Sequence, residues 1–253
     1  MEPNASARLK TFAERRNVSN PNTLASLIFI KLFQIKSATF CSCFIQYYIF
    51  YGVLQVEYVL ETSVKVGNNV TIEPFAVVKG NSVLGDGCVV GSFSYIENSS
   101  IGANTVVKSS RICDSVVGAN CTVGPNAHLR EHAVVEDNCR VGNFVEIKKS
   151  TLRQGVKASH LSYIGDATVG KNTNIGCGVI FVNYDGKEKH HTEVGDDCFI
   201  GCNSNLVAPV TVGKGCFVAC GTTVDKDMPS GSFSIGRSYL TIKEGKAEQY
   251  LKK

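Results

Sequence analysis

The chain has 253 residues, which bounds it to one or two domains. With 24 Gly, 6 Pro and no Trp it reads as a turn-rich β protein rather than a helical bundle. A net charge of +4 is too mild for a nucleic-acid surface, and at 19% charged residues any clustered charges gain weight.

Residues 1–23 are polar, with Arg15, Arg16 and the turn signal Asn20-Pro21-Asn22. Residues 24–54 are strongly apolar. Ser37 to Leu54 is an uncharged run of eighteen, the shortest length that raises a transmembrane question. No small-residue cleavage site follows it. The segment admits three readings: a membrane anchor or uncleaved signal, a helix packing on the next domain, or a stretch not native to the fold. Unless residues 24–54 are a native anchor, no membrane contact is expected. Composition breaks near residue 55, so the predicted division is an atypical segment over 1–54, a repeat domain over 55–230 and a tail over 231–253.

From Leu60 a six-residue period takes over, as in LGDGCV from Leu84, VGANCT from Val117 and VGKGCF from Val212. Each unit opens on an aliphatic residue and carries a small residue about four positions on. Spacings are six with occasional fives, and no helical period survives. This is the pattern of an all-β parallel β-helix, a flat strand and a corner per unit. The aliphatic and small slots point inward, while Gly, Asn and Asp supply corner conformations. Twenty-eight units give about nine coils of three. The array is expected to end near Met228-Pro229, with Lys243–Lys253 forming either a short capping helix or a solvated end.

Of eleven cysteines, Cys88, Cys121, Cys139, Cys198 and Cys216 occupy one repeat slot shared with Val, Ala, Ser and Thr. They read as small buried side chains, and no pair has zinc-like spacing. A reducing, cytoplasmic setting and no metal site follow as expectations.

The monotony breaks between residues 143 and 189. With sides A, B and C opening at Leu129, Val135 and Val141, equivalent slots on successive coils stack at ~4.8 Å. Arg130 and Lys148 then share a slot on side A, suited either to one anion or to a plain ion cluster with Glu146. Glu146 and Tyr163 fall at the corner where side A begins, so the four are expected at one edge. His160 lies on side C, between Tyr163 at one corner and Asn174 at the other. Imidazole suits a general base near neutral pH, although a lone surface histidine is usually inert. Below it Cys177, Cys202 and Cys220 form one column of small residues. That column suits a long ligand, a subunit contact or, lacking acidic or His partners, much less well a metal. The loop Val182–Glu193 interrupts side A with the turn signal Asn183-Tyr184-Asp185-Gly186.

At KASHLSYIGDATVGKNTNIG and VNYDGKEKHHT the chain resembles a family. It is similar to the C-terminal acetyltransferase domain of the bacterial bifunctional enzyme that joins glucosamine-1-phosphate N-acetyltransferase to N-acetylglucosamine-1-phosphate uridyltransferase. The likeness covers roughly residues 57 to 243. It implies a left-handed parallel β-helix, a homotrimer, acetyl-CoA as co-substrate and glucosamine 1-phosphate as acceptor, in the synthesis of UDP-N-acetylglucosamine. It implies His160 as the catalytic base and Arg130, Lys148, Tyr163 and Asn174 around the sugar phosphate. Lys189 is implied to reach a neighbouring subunit's site. Acetyl-CoA would lie along Cys177, Asn183, Tyr184, Cys202 and Cys220, with Arg237 and Lys243 near its far end. Magnesium would belong to the uridyltransferase half, whose phosphate-loop motif is absent from this sequence. LREHA at 129–133 departs from the family's Arg-Pro-Gly and puts that turn in doubt. The competing readings are another hexapeptide acyltransferase, a non-catalytic trimerising β-helix and, last, a metal hydrolase.

Overall fold

The computed structural model describes residues 58–249, together with a short strand at Gln34–Ile35. The readings made for residues 1–54 otherwise lie outside the described residues. Three parallel sheets wind along one axis. Face A has ten strands, from Val59–Leu60 to Thr223–Val224, and face B has nine, from Lys65–Val66 to Val210–Val212. Face C has eleven. Ten of them run from Val70–Ile72 to Phe233–Ser234, and Gln34–Ile35 joins antiparallel at Val70 and Thr71. Every other strand pair is parallel and, except for Phe217–Val218 with Phe233–Ser234, joins a strand to the one three along. No helix among the described residues is long and apolar enough to cross a membrane.

The inward slot holds one aliphatic residue per strand. On face A these include Ile96, Ile112, Leu129, Ile147, Ile164, Phe181 and Leu206, all fully buried. The small slot is buried as well: Cys88, Cys121, Cys139, Cys198 and Cys216 alternate with Ser, Thr and Ala. A two- or three-residue strand is too short to be stable alone, so each coil depends on apolar stacking with its neighbours.

Corners need left-handed backbone, and the sequence provides it. The B-to-C corner is turned by Asn69, Gly87, Asn104, Asn120, Asn138, Gly155, Asn172, Asp197, Gly215 and Gly231, all at positive φ. These residue types adopt that region at least cost. The A-to-B corner begins in the same way with Gly80, Asn98 and Asp114, then changes to Glu131, Lys149 and Asp166. From Asp114 to Asp166 that corner is charged over four successive coils.

The end of the array differs from the sequence reading in one respect. Met228 bridges to Val212, and Phe233–Ser234 adds a tenth parallel face-C strand beyond Met228-Pro229. Phe233 stacks on Phe217, which stacks on Phe199, at 5.7 and 4.8 Å between ring centres. Burial of these ring faces lets the ladder continue where the hexapeptide pattern fades. In the tail, Ala247–Gln249 forms one 3₁₀ turn within the range expected to be helical.

Candidate active site

Arg130 and Lys148 sit opposite one another in register on face A, as the slot spacing requires. Glu146 and Tyr163 also pair in register on that face, two residues earlier in their strands. The four residues therefore spread across the width of face A rather than meeting at one edge. Residues two apart on a strand share a side, so both rows project outward. The guanidinium of Arg130 reaches back to Glu146, Nε to Oε1 at 2.7 Å, and also meets Glu131.

The next member of the Arg130–Lys148 slot is Gly165. A Cβ there would stand 2.4 Å from the Tyr163 hydroxyl and 2.7 Å from the Asn183 amide. Gly165 is therefore the gap over which Tyr163 folds. Asn183 is buried and donates from Nδ2 to Asp166 Oδ2 at 2.6 Å and to the Tyr163 hydroxyl at 3.3 Å. Lys148 is buried too, with only 4% of its side chain exposed, and its ammonium lies 3.3 Å from both Asp166 and Glu131. Burial opposes ionisation of Asp166, but the Asn183 amide and Lys148 outweigh it and hold the carboxyl below its ordinary range.

Lys189 reaches the same cluster from the loop. The Glu131 and Asp166 carboxylates, each 3.3 Å away, hold Lys148 above the ordinary lysine range against the cost of burial. Contact with Lys148 pushes Lys189 below its own ordinary value. Within one chain, then, Lys189 stands at its own Lys148.

The loop is an ordered hairpin. Asn183 roots it, accepting the His190 N–H at its carbonyl. Asp185 accepts the N–H groups of Lys187 and Glu188 and meets His190 Nε2, each at 2.7 Å. Tyr184 spends its hydroxyl on the Gly186 carbonyl inside the same hairpin.

His160 ends the face-C strand Lys157–His160, three residues before Tyr163. Ser162 anchors the corner by donating to the His160 carbonyl at 2.8 Å. The imidazole is exposed. The face-C register places Cys177, Cys202 and Cys220 below His160 on successive coils, three steps or ~14 Å in all. Cys202 and Cys220 are exposed, and Cys177 is partly so. Arg237 closes the far end, donating to the Cys220 carbonyl at 2.8 Å with Sγ at 3.1 Å. Asn174 is not brought to the face-A cluster. It opens the strand Asn174–Ile175 at the opposite edge of face C, in register with Lys157 and Phe199.

Comparison with known proteins matches this geometry to a set of sequences. A model of the GMPPB C-terminal domain matches residues 60–137, and one of the bacterial transferase hexapeptide, six repeats, matches residues 191–226. The bifunctional protein GlmU of a Geobacillus species is 49% identical over 185 residues, covering 73% of this chain and 40% of the relative. GlmU of Clostridioides difficile is 50% identical over 190 residues, covering 75% and 41%. The repeat region is GlmU-like. The resemblance drawn from the His160 and Asn183 motifs therefore holds, and this chain spans about two fifths of the length of the GlmU relatives it matches. A UDP-N-acetylglucosamine acyltransferase from Campylobacter jejuni shares the fold, with TM-score 0.52, 22% identity, and coverage of 62% of this chain and 68% of that one. The solenoid is thus a left-handed parallel β-helix of the hexapeptide-repeat type.

Three residues of the cluster escaped the sequence reading. Asp166 looked like an ordinary corner residue and Gly165 like an ordinary strand slot, while Glu131 lay in the doubtful turn LREHA without an assigned role. A signal was present for Glu131, since a Glu where earlier coils place Gly, Asn or Asp is out of pattern. Among the described residues no group of three or more His, Cys, Asp or Glu is arranged to hold a metal ion.

Proposed function

We propose that this chain transfers the acetyl group of acetyl-CoA to the amine of glucosamine 1-phosphate, giving N-acetylglucosamine 1-phosphate for UDP-N-acetylglucosamine synthesis. The observation that carries the reading is the convergence of Arg130, Lys148 and Lys189 on one outward patch beside Tyr163 and Asn183, in a chain 50% identical to a GlmU protein over 190 residues. The phosphate would lie on the three cations, and Tyr163 would border the sugar. Fixing the phosphate orients the amine toward the C–A corner, where His160 ends its strand.

His160 takes a proton from the amine as its nitrogen attacks the thioester carbonyl. The new C–N bond forms, the oxyanion collapses, the C–S bond breaks, and coenzyme A leaves as the thiol after receiving a proton. Peptide N–H groups near the loop root at Asn183 are candidates for the oxyanion. Acetyl-CoA would lie along Cys177, Cys202 and Cys220 toward Arg237 and Lys243, past Asn183 and Tyr184. Asn174 projects from the far edge of face C, so it would serve the sugar of a neighbouring chain, which fits a homotrimer. The free thiols suit a cytoplasmic enzyme. No step calls for a metal.

The test is release of coenzyme A thiol by the full chain with glucosamine 1-phosphate, with and without chelator. Release that is saturable in the sugar phosphate and indifferent to chelator is expected. No release with any amino sugar would leave a non-catalytic β-helix, and release with another acceptor alone would point to a different hexapeptide acyltransferase.

A further inference from the structure

The cation patch is already occupied. The carboxylate of Glu131 meets the Arg130 guanidinium on one side and lies 3.3 Å from the Lys148 ammonium on the other. Arg130 and Lys148 are the stacked pair in register on face A, and Glu131 contacts both. Arg130, Lys148 and Lys189, with Lys149 at 3.8 Å from Asp166, thus face three carboxylates, Glu131, Glu146 and Asp166. The carboxylates are not equivalent. Asp166 is 9% exposed and tied to Asn183. Glu146 holds only the Nε edge of Arg130. Glu131 is 50% exposed, bridges both cations and projects from a corner.

That corner is unusual. Where one left-handed residue turns the neighbouring coils at Asp114 and Lys149, this coil uses two, Glu131 at φ 51° and His132 at φ 62°. Neither is Gly or Asn, so the conformation carries a cost. It leaves the Glu131 carboxylate against the stacked pair.

We propose that Glu131 is a resident anion that stands in the phosphate position and sets the selectivity of the site, lowering its preference for phosphorylated over unphosphorylated amino sugars. A phosphate gains Arg130 and Lys148 only by expelling Glu131, whereas an uncharged sugar leaves the bridge intact. Expulsion is feasible because the carboxylate is half-exposed and turns out into water, unlike Asp166. The inference rests on the reading of face A as a phosphate site.

The experiment compares the full-length chain with Glu131→Gln and Glu146→Gln. Binding of inorganic phosphate is measured by calorimetry, and kcat and KM are measured for glucosamine 1-phosphate and glucosamine. Gln keeps the side-chain shape and the backbone, so the fold is preserved. Glu131→Gln is expected to bind phosphate about three- to tenfold more tightly, the range of one charged hydrogen-bonded contact. It should lower KM for glucosamine 1-phosphate but not for glucosamine, whereas a merely structural role would raise both. An equal gain in Glu146→Gln overturns the proposal, because net charge alone would then explain it. Equal phosphate affinity in wild type and Glu131→Gln overturns it while leaving the phosphate site standing. Phosphate binding to neither protein removes the site reading itself, and the proposal with it.

Discussion

The Lys148 ammonium and the Asp166 carboxylate meet 3.3 Å apart with side chains 4% and 9% exposed. A lysine buried on an outward slot of a solenoid is tolerable only with such a partner, because an unpaired buried charge is costly. Asp166→Asn should destabilise the chain by about 1–3 kcal/mol, less than a fully orphaned charge because Lys148 keeps Glu131. The pH dependence has a definite sign. The carboxyl of folded Asp166 lies below its ordinary value, so its contribution is complete above the unfolded pKa and is lost as pH falls through the folded one. Urea midpoints of wild type and variant should differ near neutrality and converge in acid. A gap that widens on acidification would be the opposite result.

Gly165 is small because Tyr163 and Asn183 occupy the space its Cβ would need. Gly165→Ala should push the Tyr163 ring off the strand and loosen the Asn183 root, at about 1–2 kcal/mol of stability. The larger effect is expected on the acceptor, with KM for glucosamine 1-phosphate raised more than KM for acetyl-CoA. An unchanged sugar-phosphate KM would show that Tyr163 does not border the sugar.

His160 stands on a corner fixed by Ser162, with its imidazole exposed. Its replacement by Ala removes no core contact. Turnover should drop by about 10²–10⁴-fold while the thermal midpoint stays put. Full turnover in His160→Ala would end its assignment as base.

Much of this arrangement was legible before any coordinates. The stacking of Arg130 on Lys148, and of His160 on Cys177, Cys202 and Cys220, follows from counting slots, because the inward aliphatic residue fixes the face of every neighbour. The five buried cysteines were legible for the same reason. What counting does not supply is where a side chain goes once it leaves its slot. Glu131 and Asp166 occupy corners, where one residue more or less re-aims the chain, and their pairing with Lys148 depends on torsions the period does not encode. Gly165 looked ordinary because its role is defined by where the Tyr163 ring folds and by Asn183, a full coil further along the chain. Phe233 extended the ladder by aromatic stacking after the aliphatic signal had faded.

The exposed column offers a footprint for the acetyl-CoA groove. Cys202 and Cys220 are exposed, while Cys88, Cys121, Cys139, Cys198 and Cys216 are buried. A thiol reagent should modify Cys202 and Cys220 in the native chain and leave those five untouched until unfolding. Acetyl-CoA should slow modification of Cys202 and Cys220. Peptide mapping with and without the ligand reads this directly, and equal rates would remove acetyl-CoA from the column.

Lys189 gives a prediction whose sign follows from its neighbour. In the free protein Lys148 crowds it, so it loses its proton at lower pH than an ordinary lysine. An anion held between Lys148 and Lys189 would favour the charged form of both and raise the Lys189 pKa again. Between the free and bound values, anion binding must therefore take up protons. Sulfate is the suitable probe because it does not titrate in this range, and Glu131 and Asp166 are ionised throughout. Calorimetry of sulfate binding at alkaline pH, in buffers of different ionisation enthalpy, should show net uptake that rises from neutrality and then falls once Lys189 is neutral even in the complex. Lys189→Met should bind sulfate more weakly and lose the uptake. Binding with no buffer dependence in the wild type would place the anion away from Lys189.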